Sequence, residues 1–224
     1  MDQHKPYGPY EKYLKRPLDC FLAAGALVVL SPVMGITALM VRNKLGTPVI
    51  FKQERPGKDE ELFILYKFRS MTDAKDEEGE LLPDTERLTA FGRMLRRSSL
   101  DELPELVNIL RGDMAFVGPR PLLKQYLPYY SDRERLRHTV RPGLTGLAQV
   151  SGRNLLDWDR RLAFDVEYLQ KITFRGDLRI VLLTVKNVLT KKDVAAATEA
   201  VETYLNEERE KMKMIQPREG ISKA

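Results

Sequence analysis

Asp101 and Glu102 stand side by side near the middle of the chain. They fall at the start of a helical pattern whose apolar positions are Leu103, Leu106, Val107 and Leu110, with Gly112 at its end. A carboxylate at a helix start lies near backbone donors that the helix leaves unpaired, and these favour its ionised form. Adjacent carboxylates can divide two jobs. Aspartate can attack a phosphoryl group as a covalent nucleophile. A neighbouring carboxylate can hold Mg²⁺, a hard cation that favours carboxylate and substrate phosphate oxygens. The same residues also read as helix chemistry alone. Ser99-Leu100-Asp101-Glu102 fits an S-x-x-E capping box, with Asp101 as a favourable first-turn charge.

Three basic constellations could serve anionic substrates. In Gly118-Pro119-Arg120-Pro121, prolines on both sides restrict the backbone that carries Arg120. A guanidinium presented this way suits bidentate phosphate binding, though a structural turn with a surface arginine has the same sequence. Arg141-Pro142-Gly143 through Gly146, then Gly152-Arg153, combines arginines with glycines that permit close backbone approach to a ligand. It matches neither the dinucleotide fingerprint nor the P-loop. Lys67-Phe68-Arg69-Ser70-Met71 follows a strand-like run. It could face a nucleotide or anionic lipid, and an ordinary edge strand has the same pattern.

Short β-like runs are expected at Val49 to Gln53 and Leu62 to Phe68, with a turn at Gly46-Thr47-Pro48 before them. Residues 72–84 are acidic and read as an exposed loop. Helical patterning resumes near Thr85, where Leu88, Phe91, Met94 and Leu95 share one side beside Arg87, Arg93, Arg96 and Arg97. Ala115 to Val117 reads as a brief strand, and residues 122–137 as mostly helical despite Pro128. Further helices are expected at about 157–171 and 177–190. Leu178, Val181, Leu182, Val185 and Leu189 mark the expected buried side of the second. A last helical pattern lies near Val201 to Met214.

The element that must place all of this is the uncharged run Phe21 to Val41, with Ser31-Pro32 in its middle. About 20 apolar residues suffice to cross a bilayer's hydrocarbon core. Proline removes a backbone donor and kinks or breaks a helix. Lys12, Lys15 and Arg16 precede the run, and Arg42 and Lys44 follow it, so both ends favour the same, cytoplasmic side. A segment that enters and leaves one face satisfies both ends. A straight span and a buried core helix are the alternatives. A signal peptide fits poorly, because the charged lead-in is long and basic residues follow the run directly.

Composition narrows the classes. Of 224 residues, 37 are Lys or Arg and 32 are Asp or Glu, for a formal net charge of +5. That balance fits an anionic partner without choosing one. The single cysteine, Cys20, excludes an intramolecular disulfide framework, and two histidines are too few for a histidine-rich metal site. The basic residues are interspersed with acids and form no nucleic-acid motif, so no nucleic-acid partner is expected. A noncatalytic membrane protein that holds anionic lipid remains the rival to an enzyme.

Taken in order, Ser31-Pro32, YKFRSM at 66–71, SSLDELPELVNILRGDMAFVGPRPLL at 98–123 and VRPGLTGLAQVSGRN at 140–154 resemble the catalytic core of bacterial monotopic phosphoglycosyl transferases. The resemblance covers about residues 12–198 and is closest to the small members of that family. It implies an α+β monotopic membrane protein with an N-terminal re-entrant helix-break-helix, broken at Ser31 and Pro32. A mostly helical cytoplasmic catalytic domain with a small β element would follow. The implied division is an arm at 1–11, the membrane helix at 12–44, the catalytic domain at 45–198 and a charged tail at 199–224. The implied reaction moves a sugar-1-phosphate from a UDP-sugar to polyprenyl (undecaprenyl) phosphate at the bacterial inner membrane and releases UMP. Asp101 would be the nucleophile, and Glu102 the Mg²⁺ ligand. Arg120, Arg141 and Arg153 would hold phosphates, with Lys67 and Arg69 as further candidates. An N-acetylated sugar is the expected cargo, and anionic membrane lipids are expected partners.

Overall fold

A computed structural model describes residues 4–152, 156–190 and 204–215, with side chains through 211. Helices dominate, and the β structure is confined to two small pairs of strands. The chain enters through a wide helical turn at Tyr10–Leu14 and continues as one long helix, α1 (Lys15–Leu45). Gly46, at φ 81°, ends it and returns its N–H to the carbonyl of Arg42, a backbone conformation that glycine adopts without steric cost. Among the described residues this is the one helix long and apolar enough to cross a membrane, and it marks the chain as membrane-associated.

The expected break at Ser31-Pro32 takes a different form. The structure has a single helical element that runs through both residues. Pro32 has no N–H to donate to the carbonyl of Val28, four residues back. The hydroxyl of Ser31 donates to that same oxygen at 2.8 Å. The helix therefore loses a backbone donor without leaving the acceptor bare.

α1 is held by its charged lead-in and by one face. Arg16 donates to the carbonyls of Ile109 and Leu110 at 2.6 and 3.0 Å. It thereby serves carbonyls in the last turn of α4 (Glu105–Arg111) and complements the negative end of that helix. Lys15 and Tyr10 both donate to Asp177, at 2.5 and 2.8 Å. Ala23, Ala26, Leu27 and Leu30 pack with Leu65, Leu106, Ile109 and Met114. One stretch further on, Met34, Ala38, Val41 and Leu45 pack with Phe68, Leu95 and Leu103. Phe21, Val28, Val29, Ile36 and Leu39 stay exposed along the same helix.

β1 (Ile50–Pro56) and β2 (Leu62–Phe68) form an antiparallel hairpin with Ile50 opposite Phe68 and Pro56 opposite Leu62. The first strand runs three residues beyond the expected Gln53. Lys67 is thus carried near the end of β2. Two short helices follow, α2 (Asp84–Arg87) and α3 (Ala90–Arg97), where the sequence suggests one. Leu95 of α3 is buried, whereas Met94 is exposed.

A buried amide fixes the hairpin to α4. Asn108 donates to the carbonyl of Ile64 at 2.7 Å and accepts from the N–H of Tyr66 at 3.1 Å. Its side chain thereby replaces a neighbouring strand. Beyond Gly112, β3 (Ala115–Val117) pairs in parallel with β4 (Gly143–Thr145). The glycines here serve the fold. A Cβ on Gly143 would lie 2.1 Å from the N of Gly118, and one on Gly146 would lie 2.2 Å from its O. The two loops touch backbone to backbone, and no side chain fits between them.

The chain between those strands is less regularly helical than expected. It breaks into a helical turn at Lys124–Tyr129, α5 (Asp132–Arg135) and another turn at Leu136–Thr139. After β4 come α6 (Leu147–Ser151), α7 (Trp158–Gln170), α8 (Phe174–Thr190) and α9 (Leu205–Ile215). Leu205 of α9 closes a cluster of Leu122, Tyr126, Tyr130, Trp158 and Leu162. The expected buried side of α8 needs correction. Of the expected stripe Val181 packs inward, while Leu178, Leu182, Val185 and Leu189 are exposed, and Asp177 and Ile180 are buried. The inner face of α8 packs Ile180 and Val181 against Val117, Tyr168 and Ile172, and adds polar contacts. Asp177 accepts from Tyr168, and Thr184 lies 2.7 Å from the hydroxyl of Thr145.

Candidate active site

Asp101 and Glu102 occupy a single turn, Leu100–Glu102, between α3 and α4. The expected capping box is not made. Ser99 takes a left-handed backbone, φ 55°, and its side chain caps nothing. The carboxylate of Glu102 turns to cations instead. The S-x-x-E pair that does form a capping box is Ser131 with Glu134, at the start of α5.

The cations come from two directions. Lys67, at the end of β2, donates to Glu102 Oε1 at 2.9 Å. Arg120 Nη2 donates to the same oxygen at 2.7 Å. Arg120 is delivered by the double-proline turn, which is pinned where Gly143 N donates to Pro119 O and Gly118 N donates to Thr145 O, both at 2.9 Å. Three segments distant in sequence thus converge on one carboxylate. Burial alone would raise the affinity of Glu102 for a proton. Arg120 and Lys67 outweigh it and hold the carboxyl well below its usual range.

Asp101 differs from its neighbour. It is buried, and burial together with the charge of Glu102 raises its pKa, against the pull of Lys67, Arg96 and Arg120. Two adjacent carboxylates therefore have unlike environments, which is the usual sign that they hold unlike roles. A third acid joins them that the sequence reading did not single out. Glu105, 2% exposed, places Oε1 3.1 Å from Lys67 Nζ. Burial pushes its carboxyl up to about 7, with Lys67 acting against the rise. The signal in the sequence was its spacing: three residues after Glu102, on the same side of a helical turn.

Two other candidates, Arg69 and Arg141, bond to backbone carbonyls. Arg69 donates to the carbonyls of Leu45 and Thr47 at 3.3 and 3.0 Å, and to Asp73 at 2.5 Å. It braces the turn that leaves α1. Arg141 donates to the carbonyl of Gly112 at 2.9 Å. Neither forms an ion pair with the Asp101-Glu102 turn. Arg153 lies outside the described residues.

Among the described residues no group of three or more His, Cys, Asp and Glu is disposed to hold a metal ion. Mg²⁺ does not need such a cage. It is bound through one or two carboxylates, with substrate phosphates and water supplying the rest. Asp101 and Glu102 are hard oxygen donors of that kind, and they fit it.

The arrangement gathers three acids and at least two cations where an anionic substrate could be neutralised. Comparison with known proteins agrees. The bacterial sugar transferase family matches residues 10–191, and the chain belongs to it. It is similar to a Bacillus subtilis protein named uncharacterized sugar transferase EpsL. The two are 48% identical over 181 residues, covering 81% of this chain and 90% of that one. It is also similar to the undecaprenyl-phosphate galactose phosphotransferase of Salmonella typhimurium, 38% identical over 197 residues. A third relative is the UDP-glucose:undecaprenyl-phosphate glucose-1-phosphate transferase of Escherichia coli, 38% identical over 190 residues. Each of the last two matches covers 80% of this chain but 41% of the relative. The chain thus spans about two-fifths of those longer proteins.

Proposed function

We propose that this protein transfers a sugar-1-phosphate from a UDP-sugar to polyprenyl phosphate, with Asp101 as a covalent nucleophile. The observation that carries this reading is the convergence of Lys67 and Arg120 on Glu102, beside the buried Asp101. A carboxylate of Asp101 forms a bond to the phosphorus attached to the sugar. The bond from that phosphorus to the bridging oxygen breaks, and UMP leaves. An oxygen of the lipid phosphate then attacks the same phosphorus. The bond to Asp101 breaks, and the free carboxylate is restored. Every reactant is anionic, so fixed cations must offset repulsion before attack is feasible. The meeting of Arg120 and Lys67 at Glu102, beside Asp101, supports that role for them.

Glu102 would hold Mg²⁺. When bound, the ion would supply further neutralisation of phosphate charge. Arg153 and Arg141 are further phosphate-binding candidates. The sugar is the least defined substrate. Two of the three relatives are named for galactose or glucose, and the N-acetylated preference rests on the resemblance to small members of the family. A panel of UDP-sugars read by UMP release would choose among them.

The same reading places the domain of residues 45–198 on the cytoplasmic face of the bacterial inner membrane. α1 would enter and leave by that face, near anionic lipid. Two observations support it: both flanks of the apolar run are basic, and both ends of α1 pack on the same domain. A soluble sugar donor and a membrane-confined acceptor could then reach one site from their own phases.

Intact-protein mass tests the chemistry. Wild type incubated with UDP-sugar, without polyprenyl phosphate, should gain the mass of one phosphosugar, and polyprenyl phosphate should discharge it. Asp101→Asn keeps the side-chain size and should form no adduct. Adduct formation by Asp101→Asn at the wild-type rate would exclude Asp101 as nucleophile. Turnover with no adduct on either protein would favour direct transfer between the two substrates.

A further inference from the structure

Behind Arg120 lies a second ion pair, sealed from solvent. Arg137, in the turn Leu136–Thr139, sends Nε and Nη2 to Asp165 Oδ2 of α7 at 3.0 and 2.7 Å. The side chains are 2% and 3% exposed. Burying such a pair is a poor way to gain stability, because desolvation offsets most of the attraction. What the pair does with its remaining donor capacity is more telling. Arg137 Nη2 also donates to the backbone carbonyl of Arg120 at 2.6 Å. The Tyr130 ring lies 5.6 Å from the guanidinium carbon of Arg137 and covers it.

The Arg120 peptide has few other restraints. Pro119 and Pro121 have no N–H to anchor the turn on either side. Gly118 N and Pro119 O are tied to β4, as described above. The carbonyl of Arg120 is tied instead to α7, through Arg137. That carbonyl sets the direction in which the Arg120 side chain leaves the turn. The side chain then reaches Glu102 at 2.7 Å while remaining 40% exposed. An exposed arginine without such a tether would sample many rotamers, at a considerable entropic cost per ordered geometry.

We propose that Arg137 and Asp165 are a positioning pair that fixes the Arg120 peptide and so aims its guanidinium at the phosphate site. The proposal rests on the reading of that site given above. Neither residue touches substrate. α7 would thereby support catalysis from behind, and its register would matter to the reaction.

A double-mutant cycle in the full-length protein tests this. Arg137→Gln should lower kcat about 10- to 100-fold, the scale expected when a catalytic group is misplaced by about 1 Å. On an Arg120→Ala background it should lower kcat less than about twofold, because the group it aims is gone. Its effect on Tm should be the same on both backgrounds. Arg137→Gln alone strips the buried Asp165 of the guanidinium that hydrogen-bonds it and destabilises the fold, so Arg137→Gln/Asp165→Asn removes both charges together. That double variant should recover Tm without recovering kcat. Recovery of kcat along with Tm, or equal fold losses of kcat on both backgrounds, would overturn the proposal and leave the pair a purely structural one. Wild-type activity of Arg120→Ala alone would instead overturn the reading of the site, and the positioning role with it.

Discussion

The hydroxyl of Ser31 donates to the carbonyl of Val28, the oxygen that Pro32 cannot serve. A proline within a long apolar helix therefore comes with its own substitute donor, one residue before it. An unpaired carbonyl is most costly where no water can reach it, as in a bilayer. Ser31→Ala should destabilise the protein by about 1–3 kcal/mol in lipid nanodiscs. Pro32→Leu restores the backbone donor, so Ser31→Ala on that background should cost little. Equal costs on both backgrounds, read as thermal unfolding, would show that the Ser31 hydroxyl has no such role.

Pro32→Leu also bears on topology. With its backbone donor restored, α1 should favour a straighter path. Cysteines introduced near residues 12 and 45, with Cys20 replaced, report the faces they occupy. In the wild-type sequence both should label from the same face. Labelling from opposite faces would exclude the re-entrant placement. An unchanged pattern in Pro32→Leu would assign the path of α1 to its packing on the domain instead.

The contact between the two parallel strands predicts a sharp steric effect. A Cβ at Gly143 would lie 2.1 Å from Gly118 N and 2.4 Å from Thr145 O. Both neighbours are backbone and cannot rotate away. Gly143→Ala should cost at least about 3 kcal/mol, the upper part of the range for overpacking. It should also displace the turn that carries Arg120. Denaturant unfolding checks the first expectation. A mild change, within about 0.5 kcal/mol, would mean that the loops can separate freely.

Local patterning reveals elements in this chain better than it reveals their partners. The hairpin, the strand at Ala115–Val117 and helices α7 and α8 are legible because turn residues and apolar periods are local signals. Which side of α8 is buried is not. Leu178, Leu182, Val185 and Leu189 form the conspicuous stripe, yet Asp177 and Ile180 face inward. Tyr10, Lys15 and Tyr168 supply Asp177 with partners from distant segments, and no local pattern announces them. The site follows the same rule. Asp101, Glu102 and Arg120 carry their own sequence context. Glu105 and Arg137 gain meaning only when Lys67 and Arg120 arrive from elsewhere. The outward stripe gives a prediction of its own: Leu182→Ser should change stability in detergent by no more than about 0.5 kcal/mol. Ile180→Ala should cost about 2–5 kcal/mol. The opposite ranking of the two unfolding midpoints would return the stripe to the core.

Glu105 predicts a pH dependence of stability with a defined sign. Its carboxyl lies near 7 in the folded protein, against 4.5 for an unperturbed glutamate, chiefly because it is buried. Between those values the folded chain holds a proton that the unfolded chain has released. Stability must therefore fall as pH rises from about 4.5 to about 7, by up to about 3 kcal/mol for this group. Glu102 acts in the opposite sense. Its depressed pKa adds stability above the ordinary glutamate range that is lost as pH falls below it, outside this window. The raised pKa of Lys67 places its titration above the window too. Glu105→Gln keeps the neutral shape and removes the titration. Wild type minus Glu105→Gln, measured by denaturant unfolding at intervals from pH 4.5 to 8, should give a difference that declines with pH and levels off above 7. A flat difference across that range would mean that Glu105 is ionised in the folded protein throughout, held there as the second anionic partner of Lys67.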